Sequence, residues 1–350
     1  MVIGRVIPMP NSIPQPNNPV KSNGLKVVFL GTPEFAAPIL EKLASSSPPH
    51  QNWCGGRYKP IAVFCAPDKP VGRKQVLTHP PVKILAQKYN IPVFQPANSR
   101  ELIYTLKSIP HTLIITVAYG LILPREVLKT PKFGCLNIHP SLLPKYRGPS
   151  PIQAAILAGD TETGVTIYKM DEQIDHGPIL ITNHLSLITQ KFTTPELSKI
   201  LAELGADLLL KILPDYLAGK IAPQPQDETQ AICAKIITKQ DGRIDWQKSA
   251  AEIERQIRAY DPWPGSFTKF NGQKLKIIKA TLGKAKTNKQ IYPEQKRGVG
   301  KIFLTETGEL AVQCGQGYLI TKTLQLEGGK LLPANNFLRG HQDIIGQILN

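Results

Sequence analysis

Short apolar runs alternate along this chain with longer segments whose apolar residues recur at helical spacing. LKVVFLG, from Leu25 to Gly31, is β-branched and stops at a glycine, which predicts a buried strand and a tight turn. TPEFAAPILEKLA follows, with Phe35, Ile39, Leu40 and Leu43 spaced for one helix face. KPIAVFCAP predicts the next strand. PPVKILAQKYN predicts a helix with Val82, Leu85 and Ala86 inward, and IPVFQP a short strand. HTLIITVAYG is an unbroken apolar run of the kind buried in a parallel sheet. GCLNIHPS has the same look but carries polar residues at its carboxyl end. PIQAAILAG reads as a helix and GVTIYKM as a strand. A long helix is expected from Pro195 to Leu213, with Thr194 as its cap and Leu197, Leu201, Leu204, Leu208 and Ile212 on one face. Strands and helices in this order predict an α/β fold, a Rossmann-like doubly wound, mostly parallel sheet.

The pattern then changes. LAGKIAPQPQDETQ is polar, proline-rich and with little periodicity, which reads as a linker that can also be ordered against either domain. After about Ile232 come one helix, SAAEIERQIRAY, and the strand candidates GSFTKF, QKLKIIKA, GKIFL, ELAVQCG and YLITKTLQLEG, which together predict a smaller, OB-like β-barrel. The expected organisation is an extension over 1–24, a first domain over 25–220, a linker over 221–231 and the barrel domain over 232–350. The extension is rich in Pro and Asn and is expected to be disordered; it lacks the apolar run of a signal peptide, and its prolines oppose the helix of a transit peptide.

Composition narrows the partners. No segment offers the roughly 18 uninterrupted apolar residues of a membrane span. Cys54, Cys65, Cys135, Cys233 and Cys314 show no C-x-x-C spacing, which argues against a structural zinc site or a disulfide framework and fits the cytoplasm. A monomer is expected. The 42 basic and 26 acidic residues give a net charge of +16, and residues 231–350 hold 19 basic and 10 acidic side chains. A folded basic module points to a polyanion such as nucleic acid, with small anionic substrates left open.

Ligands of open α/β sheets bind beyond the carboxyl ends of strands, so GCLNIHPS is where chemistry is expected. Asn137 and His139 are two apart on an extended strand end and share one side. A neutral imidazole can take a proton as a bond forms, and an amide N–H can meet charge developing on a carbonyl oxygen. Asp175, in MDEQIDHGPI, could orient and charge-balance His139, although these residues alone fit a satisfied core histidine and a loop carboxylate as well. Ser141 and Ser150 lack a G-x-S-x-G elbow, and nothing activates Cys135 as a nucleophile. No metal-ligand spacing is present. GTPEF has neither of the common phosphate-loop patterns and reads as a tight turn or as a helix start that meets a polar ligand group.

Several longer stretches add a resemblance. KVVFLGTPEFAAPIL, APDKPVGR, VAYGLILPREVL, GCLNIHPSLLPKYRGPSPIQAAILAGDTETGVTIYKMDEQIDHGPIL, DGRIDW and IRAYDPWPGSF resemble, in order, the motifs of the methionyl-tRNA formyltransferase family, within the 10-formyltetrahydrofolate-dependent formyltransferases. The likeness runs from about Leu25 to Asp343. It implies that Asn137, His139 and Asp175 are catalytic, and that Ser141, Leu142, Leu143 and Pro144 contact the folate. Tyr119, Gly120, Leu121, Ile122, Leu123 and Pro124 fall on the loop near the pterin. Arg73 falls on an arginine that the family inserts into the acceptor end of the tRNA, and the barrel domain is expected to bind tRNA. The implied donor is 10-formyltetrahydrofolate without a metal, and the implied acceptor is initiator methionyl-tRNA.

Three departures from the family pattern stand out: Pro140 in place of Gly or Ala, His176 in place of Thr, and Lys74 in place of Gly. SSSPPHQNWCGGRYK also lengthens the connection after the first helix. The expected reaction is direct acyl transfer through a tetrahedral intermediate. Asn137 would meet the oxyanion, His139 would move the proton, and Asp175 would hold the imidazole's tautomer and balance its charge. Rival readings are formyl transfer to a small amine, a folate-dependent hydrolase, and a tRNA-binding protein without activity. The first two explain the middle block but leave the basic module without a task.

Overall fold

The computed structural model describes residues 24–45, 58–72, 74–187, 191–283 and 298–349. Nearly all of the expected extension, most of the insertion after the first helix, Cys54 and Arg73 lie outside them. The first half of the chain runs β1 (Val27–Gly31), α1 (Ala37–Ser45), β2 (Ala62–Phe64), β3 (Lys69–Val71), β4 (Val76–Thr78), α2 (Pro81–Lys88), β5 (Val93–Phe94), α3 (Ser99–Lys107), β6 (Leu113–Val117) and α4 (Arg125–Leu128). It continues through β7 (Cys135–His139), β8 (Lys145–Arg147), α5 (Pro151–Ala158), β9 (Glu162–Lys169), β10 (Ile179–Ser186) and α6 (Thr194–Leu217).

Seven of these strands form one sheet in the order β10-β9-β7-β6-β1-β2-β5. β5, β2, β1, β6 and β7 are parallel; β9 runs against them, and β10, antiparallel to β9 at the sheet edge, runs with them again. The apolar runs are buried because both faces are covered. Val27, Phe29, Ile115 and Ile138 pack with α1 and α6 on one side. Val28, Leu30, Ile114 and Cys135 pack with Leu102 and Leu106 of α3 on the other. This is the doubly wound, mostly parallel architecture that the alternation of runs predicts.

Some elements differ from expectation. A 3-10 turn over Glu34–Ala36 precedes α1. Thr193, not Thr194, caps α6: Glu196, three residues on, accepts from its N–H and its hydroxyl, both at 2.8 Å. Thr194 instead donates its hydroxyl to the carbonyl of Ala259. The helix also continues past the expected end, through Pro214 to Leu217.

The second half comprises β11 (Ile232–Cys233), α7 (Ala250–Ala259), β12 (Ser266–Phe270), β13 (Gln273–Leu282), β14 (Ile302–Leu304), β15 (Leu310–Gln313), β16 (Tyr318–Leu326), β17 (Leu332–Pro333) and α8 (Ala334–Gly340). β12 to β17 form an antiparallel half-barrel, and α7 and α8 close its core around Trp246, Ile253 and Phe337. The two halves are bonded together. Arg255 Nε donates to the carbonyl of Leu157, Arg258 Nη1 donates to that of Phe192, and the end of α7 at Ala259 and Tyr260 joins the first core. Residues 224–233 lie against the first half, with Gln224 exchanging backbone bonds with Ile179 and β11 pairing with β8.

Candidate active site

Strand register decides which polar groups meet. Thr116 of β6 lies opposite Asn137 of β7, and on the other side β9 places Tyr168 opposite Asn137 and Thr166 opposite His139. Paired positions share a face, so these side chains gather at the carboxyl end of the parallel strands. Asn137 and His139 are both buried.

The expected trio comes together through two further groups. Asn137 Nδ2 donates to the Tyr168 hydroxyl at 3.0 Å, and that hydroxyl donates to Asp175 Oδ1 at 2.8 Å. Asp175 Oδ2 accepts from the Gly148 N–H at 2.7 Å and lies 3.6 Å from His139 Nδ1. His139 Nε2 is 2.9 Å from the carbonyl oxygen of Tyr146. A carbonyl only accepts, so Nε2 carries the proton and Nδ1 is the nitrogen left to exchange one. The tautomer is therefore set by the Tyr146 backbone, while Asp175 faces the exchanging nitrogen at ion-pair distance.

Unusual backbone makes this possible. Tyr146 and Asp175 both have positive φ, 64° and 50°. Such residues persist only where surroundings hold them. Tyr146 is held by its hydroxyl, which donates to Asp160 at 2.8 Å. The loop of Asp175 is held by Gln226, whose Nε2 donates to the carbonyls of Asp175 and Gly177. Arg147 in turn grips Gln226 and Glu228. His176 sits in the same cluster, 2.5 Å from Asp171 and 3.4 Å from Glu228. The segment between the two halves thus buttresses the site, a role that its composition did not signal.

The expected folate loops follow the adjacent strands β6 and β7. Tyr119 and Leu123 are buried, Gly120 has φ 91°, Leu121 and Pro124 are half-buried, and Ile122 is exposed. Ser141 is fully buried and donates to the Lys145 carbonyl. Leu142 and Pro144 are half-buried, and Leu143 is buried with its N–H donated to Thr166 Oγ1. The Thr166 hydroxyl donates to the Ser141 carbonyl, so one threonine on β9 fixes this loop. At the end of β6, the Thr116 and Tyr119 hydroxyls are buried with no partner. Burial pushes the Tyr119 phenol well above its ordinary range, so it stays a hydroxyl. Buried hydroxyls without a partner call for a hydrogen-bonding group that the described residues do not supply.

Arg73 itself lies outside the described residues, but its setting does not. β3 and β4 form a hairpin that leaves the sheet after β2, at the same edge as Asn137, with Val71, Val76 and Leu77 exposed. Its base is anchored by Asp68, which accepts from Lys83 and Gln95 and lies 2.8 Å from His79 Nδ1. The Lys83 and Gln95 hydrogen bonds hold the Asp68 carboxyl at about 2. Among the described residues, no group of His, Cys, Asp and Glu is placed to hold a metal, and no helix is long and apolar enough to cross a membrane.

Fold and site together define an α/β ligand-binding domain with acid-base groups at its strand ends, joined to a basic half-barrel. The family profile "Formyl transferase" matches residues 25–213, and "Formyl transferase, C-terminal domain" matches residues 236–342. The methionyl-tRNA formyltransferase of Caldicellulosiruptor saccharolyticus is 42% identical over 93% of this chain and 100% of its own. The chain belongs to the formyl transferase family and, within it, to the methionyl-tRNA formyltransferases. Two solved structures share the fold. HypX from Aquifex aeolicus has a TM-score of 0.61 at 17% identity over 92% of this chain, which spans 48% of HypX. An N-formyltransferase from Helicobacter canadensis, in complex with folinic acid and dTDP-3-aminofucose, has a TM-score of 0.59 at 21% identity over 85% of this chain and 98% of its own.

Proposed function

We propose that this protein transfers the formyl group of 10-formyltetrahydrofolate to the free amino group of methionine on initiator methionyl-tRNA. The observation that carries the reading is the bonded set Asn137, Tyr168, Asp175 and His139 at the end of β7, in a chain of this family. When bound, the donor supplies an activated formyl carbon. Loops 119–124 and 141–144 would hold it, with Thr116 and Tyr119 offering hydroxyls to its heterocycle. Asn137 has one N–H beyond its bond to Tyr168 to give to the formyl oxygen as negative charge develops there. His139 Nδ1 takes the proton that the attacking amine sheds and passes it to the departing nitrogen, and Asp175 balances the imidazolium.

The nucleic-acid side rests on charge and placement. β3 and β4, which flank Arg73 in sequence, follow β2 at the carboxyl end of the sheet, and residues 231–350 hold 19 basic against 10 acidic side chains. Together they would seat the acceptor end of a tRNA and its backbone. The four described cysteines are free thiols, three of them buried. That suits a reducing compartment, and we take the chain to act in the cytoplasm as a monomer. The test is a competition among charged initiator tRNA, charged elongator tRNA and small amines for label from 10-formyltetrahydrofolate. Preferential labelling of initiator methionyl-tRNA supports the reading; preferential labelling of a small amine replaces it.

A further inference from the structure

Between Asn137 and Asp175 stands a side chain to which the three-residue account gives no part. Tyr168 is 1% exposed and lies on β9 opposite Asn137. Its hydroxyl touches both, at 3.0 Å from Asn137 Nδ2 and 2.8 Å from Asp175 Oδ1. We infer that Tyr168 is a positioning residue for the transfer step: its hydroxyl locks the Asn137 amide and the Asp175 carboxylate into one arrangement, so that oxyanion donor and acid-base pair act as a unit. The inference rests on the formyl-transfer reading of this site.

The direction of the hydrogen bonds carries the argument. A carboxylate only accepts, so the phenolic proton goes to Asp175. The phenol has no second proton, and its lone pairs can be met only by a donor. Nδ2 of Asn137, and not Oδ1, must therefore turn toward it. Without that constraint an amide can flip its nitrogen and oxygen at little steric cost, and an oxygen aimed at a developing oxyanion would repel it. The hydroxyl thus selects the productive amide orientation and leaves the second N–H of Nδ2 for the reaction. The same hydroxyl occupies Asp175 Oδ1, which leaves Oδ2 for the Gly148 N–H and for His139 Nδ1. Burial, and then the charge of Asp175, push the phenol well above its ordinary range, so it remains a donor throughout the working pH. A tyrosine that merely filled core space would not need both partners of its hydroxyl to be site residues.

The test is formylation of methionyl-tRNA by the full chain, with Tyr168→Phe, Asn137→Ala, the double variant and His139→Ala. Tyr168→Phe should lower kcat by about 10- to 100-fold, the range for losing a hydrogen bond to a charged group. KM for 10-formyltetrahydrofolate should stay within about 3-fold. In the Asn137→Ala background the same change should cost clearly less, about 3- to 10-fold, because only the hold on Asp175 is left to lose. A wild-type kcat for Tyr168→Phe, or an equal loss in both backgrounds, overturns the inference. Should Tyr168→Phe fail to fold, the 15N spectrum of the wild-type chain decides. The Asn137 side-chain amide, identified by its disappearance in Asn137→Ala, should have one downfield, slowly exchanging proton; an amide pair like that of an exposed asparagine overturns it. Active wild type, dead His139→Ala and unimpaired Tyr168→Phe would reject only the tyrosine's role. Wild type without formyl transfer would reject the reading of the whole site.

Discussion

In the proposed mechanism single side chains carry the chemistry, and each has a distinct expected loss. His139→Ala should lower turnover by roughly two to four orders of magnitude with folate binding kept, since a positioned acid-base group supplies about that much. Steady-state kinetics with calorimetric folate binding checks it, and near-normal turnover at neutral pH removes His139 from its role. Asn137→Ala should cost on the order of 3 kcal/mol in the transition state, as loss of one oxyanion donor does elsewhere. A loss confined to folate affinity would make Asn137 a ligand-holding residue. Asp175→Asn keeps the shape but removes the charge facing His139 Nδ1, so its defect should be comparable to or smaller than that of His139→Ala, and non-additive with it. The placement of Asn137 and His139 at one strand end was legible because two polar residues end an otherwise apolar strand. Asp175 needed the resemblance, since no local pattern ties a loop carboxylate to a strand far away in sequence. Tyr146 and Tyr168 were not legible at all: one acts through its carbonyl, and the other reads as ordinary strand apolar content.

At the scale of elements, backbone geometry holds the site. Gly148 has φ 110°, and a Cβ there would meet the Ala234 carbonyl oxygen at 2.7 Å, while its N–H is bonded to Asp175. Gly148→Ala should therefore cost at least about 1–3 kcal/mol in strain and part β11 from β8. Thermal unfolding together with turnover would check it, and an unperturbed variant would show that the 232–234 segment yields freely. A second element supports the half-barrel on the acid side. The Asp241 carboxyl is held at about 2 by Lys235, and then by the hydroxyl and N–H of Thr238. A depressed carboxyl stabilises fully above its unfolded value near 4 and loses that contribution as pH falls toward 2. The stability gap between wild type and Asp241→Asn should be constant above about pH 5 and close by about pH 2; a gap that ignores pH would refute the assignment.

Elements with a long apolar face lie where their periodicity predicts, and the differences elsewhere have local causes. Two adjacent threonines precede Pro195, and only the reach of Glu196 selects Thr193 over Thr194. α3 buries only Leu102 and Leu106, so its apolar pattern is faint and the cap formed by Asn98 and Glu101 is its main trace in the sequence. β3, β4 and β10 have exposed or half-buried residues and so lack a hydrophobic period to read.

For the whole molecule, the sequence change near residue 220 and the second set of strand patterns made the two-part organisation visible. How residues 224–233 brace the site was hidden, because Gln226 and Arg147 act through polar bonds between distant segments. The basic second half and the hairpin bearing Arg73 predict salt-sensitive recognition. Each phosphate contact should contribute about 0.7–0.9 to the slope of log affinity against log salt, and Arg73→Ala should reduce formylation of charged tRNA more than loss of a lysine on the half-barrel does. A flat salt series would contradict a polyanionic substrate.

The most direct test is single-turnover transfer of labelled formyl from 10-formyltetrahydrofolate with initiator methionyl-tRNA, elongator methionyl-tRNA and small amines present together. The account predicts label on the methionine of the initiator tRNA, abolished or nearly so by His139→Ala. Label on a small amine instead, or transfer to tRNA that survives His139→Ala undiminished, would contradict it.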